Sequence, residues 1–235
     1  MLVRPNHTLR GFHIAGAISA LLPLGCASKP AAGGTGTYRG VLVNSTEIGN
    51  LEVTVSQASS GPLPASGTIS LSSATISVSG TLDGSNTKLS LSSTDGYQLT
   101  GYSRPAYVFG SYDSPQDQGS FALFLTDAAS SPVRNLCGSL VWTAPANTAP
   151  SPFAVTAVPS GSAMCVGPDF VWFGNLDASD SLSCEGSGND LAFGNVNADA
   201  GNQWGTGNEY GSWTLGPCAD GAATGPDGGS SDAVD

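Results

Sequence analysis

Gly80-Thr81-Leu82-Asp83, followed by Lys88-Leu89-Ser90-Leu91 and Tyr97-Gln98-Leu99-Thr100-Gly101, comes back later in the chain as Gly174-Asn175-Leu176-Asp177, then Ser181-Leu182-Ser183-Cys184, then Asp190-Leu191-Ala192-Phe193-Gly194. The order and spacing agree within about one residue, as expected of a repeated structural unit. Working outward, Phe109-Gly110-Ser111 matches Trp204-Gly205-Thr206, and Gly119-Ser120-Phe121-Ala122-Leu123 matches Gly211-Ser212-Trp213-Thr214-Leu215. Upstream, Ser66-Gly67-Thr68-Ile69-Ser70-Leu71 matches Ser160-Gly161-Ser162-Ala163-Met164-Cys165, and Arg39-Gly40-Val41-Leu42-Val43 matches Cys137-Gly138-Ser139-Leu140-Val141. Seven landmarks in the same order make this a tandem duplication.

The repeated unit is a β unit. Leu51-Glu52-Val53-Thr54-Val55, Ile76-Ser77-Val78, Leu89-Ser90-Leu91 and Phe121-Ala122-Leu123-Phe124-Leu125 suit strands, and a period of two puts one face in a core and the other in water. Gly, Asn, Asp, Ser or Pro interrupts these runs about every ten residues, which favours a meander of hairpins. No stretch past Thr37 sustains a helical period, and Glu, Lys and Met are scarce. The expected fold is all-β: two tandem antiparallel meander repeats, each a small barrel or sandwich of seven or eight short strands with its own core. The boundaries read as a signal peptide over 1–25, a flexible tether over 26–36, the first repeat over 37–127 and a linker over 128–134. The second repeat follows over 135–218, then a disordered acidic tail over 219–235 made largely of Gly, Ala, Ser and Asp.

The duplication makes the cysteines interpretable, since four of the five fall in the second copy. Cys165 takes the place of Leu71 and Cys184 that of Leu91, so a core pair of leucines is exchanged for two inward thiols on nearby strands. Cys137 precedes the first strand of the copy and Cys218 follows its last, as a staple across a closed sheet would. Four cysteines admit three pairings; this placement favours Cys137 with Cys218 and Cys165 with Cys184, and leaves the other two open. Such bonds belong to an oxidising compartment.

The N-terminus gives the address. Arg4 and Arg10 precede an apolar run from Gly11 to Gly25 that ends at Leu22-Pro23-Leu24-Gly25-Cys26-Ala27, the layout of an export signal and shorter than the roughly 20 residues a spanning helix needs. The Cys26 segment resembles the lipobox of bacterial lipoproteins, with Pro23 and Leu24 in its first two places. That resemblance implies diacylation of the Cys26 sulfur, with a lipid bilayer as partner through an N-terminal acyl anchor. Ala27 after the cysteine, in place of Asp, implies sorting to the outer membrane of the cell envelope. The alternative is an ordinary secretory signal cut after Ala27, giving a secreted or periplasmic protein.

Loss of the signal removes Arg4, Arg10, His7 and His13. The mature chain then has no histidine and carries five basic residues against all 18 acidic ones, a formal charge of about −13. Nucleic acid is excluded as a partner, because binding it depends on cationic contacts to phosphate. Without imidazole there is no Ser-His-Asp or Cys-His relay, and carboxylate pairs such as Asp113 with Asp117 or Asp169 with Asp177 look like turn residues. No metal site is expected: there is no C-x-x-C, and Asp177-Ala178-Ser179-Asp180 and Asn195-Val196-Asn197-Ala198-Asp199, which a calcium ion could use, are explained by turn chemistry. No cofactor is expected either. Trp142, Trp172, Trp204 and Trp213 all lie in the second copy, where they can line a ligand pocket or fill a core, and Trp213 aligned with Phe121 favours the core. The expectation is therefore a non-catalytic structural or binding module at the cell envelope, with no ligand-binding residue assigned. A small-ligand carrier of lipocalin-like kind is the alternative, to be told apart by an open interior cavity.

Overall fold

The structure is a computed structural model that describes residues 34–83, 87–126, 132–146, 148–188, 190–198, 201–206 and 209–218. The segment read as a signal peptide, Cys26, most of the segment read as a tether and residues 219–235 lie outside the described residues. Among the described residues there is no helix, and sixteen strands form two closed eight-stranded antiparallel barrels, one per copy.

In the first barrel β1 (Gly36–Asn44), β2 (Ile48–Val55), β3 (Leu63–Ser70) and β4 (Thr75–Asp83) are followed by β5 (Lys88–Ser92), β6 (Gln98–Ser103), β7 (Tyr107–Asp113) and β8 (Gln118–Thr126), and β8 closes on β1. The second barrel runs through β9 (Arg134–Ala144), β10 (Ser151–Ala157), β11 (Ser162–Val166), β12 (Val171–Leu176), β13 (Ser181–Glu185), β14 (Leu191–Asn195), β15 (Gln203–Thr206) and β16 (Glu209–Pro217), and β16 closes on β9. The second repeat thus starts as strand one residue earlier than its sequence boundary, with Arg134 paired to Ala157.

Alternation builds the exposed walls. On β4 and β5 the inward Val78, Leu82, Leu89 and Leu91 are buried while Ser77, Ser79, Ser90 and Ser92 face out. Cross-strand neighbours on that outer wall are hydroxyls as well, Thr81 beside Ser90 and Ser90 beside Thr100. This wall is made for water, whereas a barrel that spans a bilayer presents an apolar band.

β1, β8, β10 and β11 break the alternation, because both of their faces are covered. Val41, Val43, Ala122 and Phe124 on the outer face of the first barrel pack with Ala154, Met164 and Val166 on the outer face of the second. The run Phe121–Leu125 is therefore apolar throughout, with Phe121 and Leu123 in the barrel core and Ala122 and Phe124 in the seam between barrels. Asn135 ties the seam at its edge, its Nδ2 donating to the Gly40 carbonyl (3.3 Å) and to Asn50 Oδ1 (3.1 Å).

Register corrects two of the sequence alignments. Ala65 pairs with Gly80 and Ala163 with Gly174, so two residues along Gly67, not Leu71, is the counterpart of Cys165. The Ser-Gly match misled because Gly161 sits in a turn at φ +95° while Gly67 lies within β3. Likewise Tyr112 pairs with Gly119 and Trp204 with Gly211, so Trp204 replaces the inward Tyr112 and not the outward Phe109. Cys184 does stand where Leu91 does, each paired to the corresponding glycine, Gly174 or Gly80.

Both disulfides join the cysteines that the duplication brought together, Cys137 to Cys218 and Cys165 to Cys184. Cys165 and Cys184 are fully buried and sit on strands that flank β12, yet their Cα atoms are only 6.2 Å apart. Strands two places apart in a flat sheet are separated by about 9.6 Å, so the sheet coils sharply here. Gly174 permits it: a Cβ there would lie 2.6 Å from the Cys184 Cα. Two disulfides are compatible with a location outside the cytoplasm.

A carboxylate ties two loops at one end of the first barrel. Asp117 accepts the Ser45 hydroxyl (2.6 Å) and the Ser45 N–H (3.1 Å), linking the β7–β8 turn to the β1–β2 turn. The Ser45 hydroxyl is the main reason its carboxyl titrates below the usual range; desolvation opposes it, and the Gln118 and Ser45 amides add to the lowering. A carboxyl lowered by folding stabilises the fold above its unfolded pKa, and the gain is lost as pH falls through the folded value. We expect Asp117→Asn to lower stability near neutral pH by at most about 1 kcal/mol, because the group is solvent-screened. Urea unfolding followed by circular dichroism should show that difference closing as the pH is taken below the carboxylate range. A difference that is constant with pH would show that the ionised carboxylate contributes nothing.

Candidate functional site

The two copies differ most at one end of the barrel, where the β9–β10, β11–β12, β13–β14 and β15–β16 loops meet. In the first barrel this end is filled. Ile69 pairs with Ile76 below the turn at 71–74, Val78 and Tyr112 are buried beneath it, and Asn44 Oδ1 holds the β1–β2 turn by accepting the N–H groups of Thr46 (2.9 Å) and Glu47 (2.7 Å). Burial pushes the Tyr112 phenol well above its ordinary range.

The second barrel places rings at the same positions. Counting out from Leu140–Trp213, which matches Leu42–Phe121, Trp142 stands where Asn44 does; Trp172 replaces Val78, and Trp204 replaces Tyr112. The β11–β12 hairpin is also shorter. Its turn closes between Gly167 and Phe170, the positions of Ile69 and Ile76, by the bond from the Gly167 N–H to the Phe170 carbonyl (3.1 Å). Glycine at 167 is what lets the ring of Phe170 lie over the mouth, since a Cβ there would overlap it. A smaller partner accommodates Trp204 as well: Ala192 is its neighbour, where Tyr112 has Leu99.

The rings form two pairs. Trp142 and Trp204 meet edge to face at 4.4 Å between centroids, and Phe170 stacks on Trp172 at 4.1 Å with 21° between planes. The Trp204 indole N–H donates to the Val141 carbonyl (3.4 Å), while the buried Trp142 Nε1 has no hydrogen-bond partner among the described residues. These rings line a cleft of about 920 Å³ at the barrel mouth. Asp169, Glu185, Asp190 and Glu209 stand around it, and Ser45 of the first barrel borders it. The volume lies in the range of small-molecule sites, which pair apolar walls with a few polar groups.

Below the mouth the lumen is full. Trp213 and Phe153 are fully buried with ring centroids 6.3 Å apart, and the Cys165–Cys184 bond lies in the same cluster. Trp213 is thus a core residue, its N–H donating to the carbonyls of Gln203 (3.0 Å) and Phe193 (3.2 Å). Of the four tryptophans, three line the cleft and one fills the core. Their clustering in one copy was the signal in the sequence, and what hid the site was that hairpin lengths cannot be compared without register.

The other candidates separate from this cleft. Asp177 lies at the opposite end of β12 from Asp169, so the two carboxylates do not converge; its Oδ1 accepts the Ser179 N–H (2.8 Å), the Ser179 hydroxyl (2.6 Å) and the Ser181 N–H (2.9 Å) of its own turn. Those bonds, the Ser179 hydroxyl first, hold its carboxyl below the usual range. Asp180 is engaged by Arg134 and by Asn197 Nδ2 (2.6 Å), and Arg134 is the main cause of its lowered pKa. Both carboxylates of the Asp177–Asp180 segment are thus committed to the protein itself. Asp113 ends β7 with an exposed side chain in the hairpin that Asp117 caps.

The class defined by the fold is a tandem pair of eight-stranded antiparallel barrels, one filled and one open at an aromatic mouth. Comparison of the chain with protein families, with characterised proteins and with solved structures finds no match.

Proposed function

We propose that this chain is an exported, lipid-anchored binding module of the cell envelope, without catalytic chemistry, in which the second barrel holds a small ligand at its mouth and the first serves as the scaffold beside it. The observation that carries the reading is the difference between the copies at one end: residues that plug the first barrel are replaced in the second by Trp142, Phe170, Trp172 and Trp204 around a cleft of about 920 Å³. A core needs no such exchange. An enclosed carrier of lipocalin-like kind is less well supported, since Trp213, Phe153 and the inner disulfide occupy the second lumen. The anchor rests on Arg4, Arg10, the apolar run and Cys26, and acylation at the outer membrane is the placement this reading adopts.

One preparation tests both halves. The full-length product is extracted from envelope membranes, and its N-terminal peptide is expected to begin at Cys26 with a thioether-linked diacylglycerol. All four tryptophans lie in the second copy, so the emission of the same sample should respond to small compounds that enter the mouth, and Trp142→Ala should weaken that response about tenfold. A chain that keeps Met1 and stays in the cytosol would overturn the envelope half. Emission unmoved by a panel of amines, saccharides and fatty acids would overturn the binding half.

A further inference from the structure

We infer that the mouth of the second barrel takes a small organic cation, an ammonium or guanidinium compound with an apolar body. The inference rests on reading the mouth as a binding site and adds the chemical class of what it holds. Its first ground is charge. The second barrel, residues 134–218, contains seven Asp and Glu against a single cation, Arg134, which is engaged with Asp180 at the end away from the cleft. Four of the seven, Asp169, Glu185, Asp190 and Glu209, border the cleft. Among the described residues none of the four is paired to a side chain, in contrast to Asp177 and Asp180 at the other end, which are engaged by Ser179, Arg134 and Asn197. Asp177 and Asp180 serve the fold, and the four carboxylates of the mouth line the cleft.

The second ground is the wall. Trp142 and Phe170 are only partly buried and lie on the cleft, each packed against a deeper ring that fixes its orientation. An aromatic face attracts a cation and carboxylates do the same, so both features of the mouth select one sign of ligand. An anion meets four carboxylates there with no compensating group. A neutral apolar compound gains from the rings alone and displaces water from the carboxylates. The cation uses both, and its apolar body is matched to the 920 Å³ space between the rings.

Choline and its uncharged isostere 3,3-dimethylbutan-1-ol, which share shape and hydroxyl, separate charge from fit. Both are titrated into the full-length protein with tryptophan emission as readout, beside glucose. Choline is expected to bind at least tenfold more tightly than the isostere, to weaken as salt is raised, and to lose about tenfold in the Glu185→Gln/Asp190→Asn double variant. Those two carboxylates are on the mouth and outside the core, and the far-ultraviolet spectrum of the variant checks its fold. Trp142→Ala should weaken choline by a similar factor. Equal affinity for choline and the isostere, or binding of glucose in preference to choline, would overturn the cation and leave the mouth as a binding site. No response to any of the three would overturn the cation as well and would count against the mouth itself.

Discussion

Replacing Cys137 and Cys218 together by serine is expected to lower the stability of the second barrel by about 4 kcal/mol and to leave the first barrel folded. The two residues are 81 apart in sequence, and closing a loop of that length restricts the unfolded chain by roughly 4–5 kcal/mol in the chain-entropy account. Their place in the fold sharpens the expectation. Cys137 lies near the start of β9 and Cys218 just past the end of β16, and β9 with β16 is the seam at which the barrel closes. A bond there holds the two ends of the meander together before the strands between them have paired. Tryptophan emission reports the second barrel alone, so its urea midpoint should fall sharply while circular dichroism retains a second, later transition from the first barrel. An unchanged emission midpoint would mean that the seam holds without its staple. The inner bond closes a loop of only 19 residues and should contribute less through the unfolded state, roughly 3 kcal/mol.

The residues that made the fold legible are the ones whose pattern is local. Leu82, Leu89 and Leu91 alternate with hydroxyls, and their partners Leu176, Leu182 and Cys184 do the same, so strand, face and repeat could be read together. Cys184 was placed correctly because the hairpin joining it to its neighbour has the same register in both copies. Cys165 is misplaced because the hairpin that follows it is shorter than its counterpart, Cys165 and its partner Trp172 standing seven residues apart where Gly67 and Val78 stand eleven apart. In a chain rich in Gly and Ser, a Ser-Gly pair is too weak to fix an alignment across such a change. The seam between barrels was visible only as a lack of alternation in Phe121–Leu125 and Phe153–Ala157, a pattern that also fits a strand with one wet face if every second residue is discounted. The aromatic mouth was the least legible. Four tryptophans in one copy are as natural in a core as in a cleft, and only the pairings of Trp142 and of Trp204 with Gly211, and of Trp172 with Cys165, put three of them at the rim.

Trp213 is where the core reading can be tested most directly, because the first barrel supplies its control. It is 1 % exposed, faces Leu140 across the closing seam, and donates its N–H to two carbonyls that belong to paired residues, Phe193 of β14 and Gln203 of β15. The indole therefore fills the lumen and also fastens the short β14–β15 pair to β16. Trp213→Ala removes the ring, leaves a cavity beside Phe153 and strips two part-buried carbonyls of a donor, for an expected loss of about 4 kcal/mol. Trp213→Phe installs the residue that stands there in the first barrel, Phe121; it keeps most of the volume and gives up the N–H, so it should cost only about 1–2 kcal/mol. Emission from the other three tryptophans keeps both variants readable in urea. The order wild type, Phe, Ala is what a packed core with a hydrogen-bonded indole requires. Near-equal stability of the alanine and phenylalanine variants would mean that the ring volume does not matter at this position, and the lumen would then have to be open enough to hold the ligand that is placed here at the mouth.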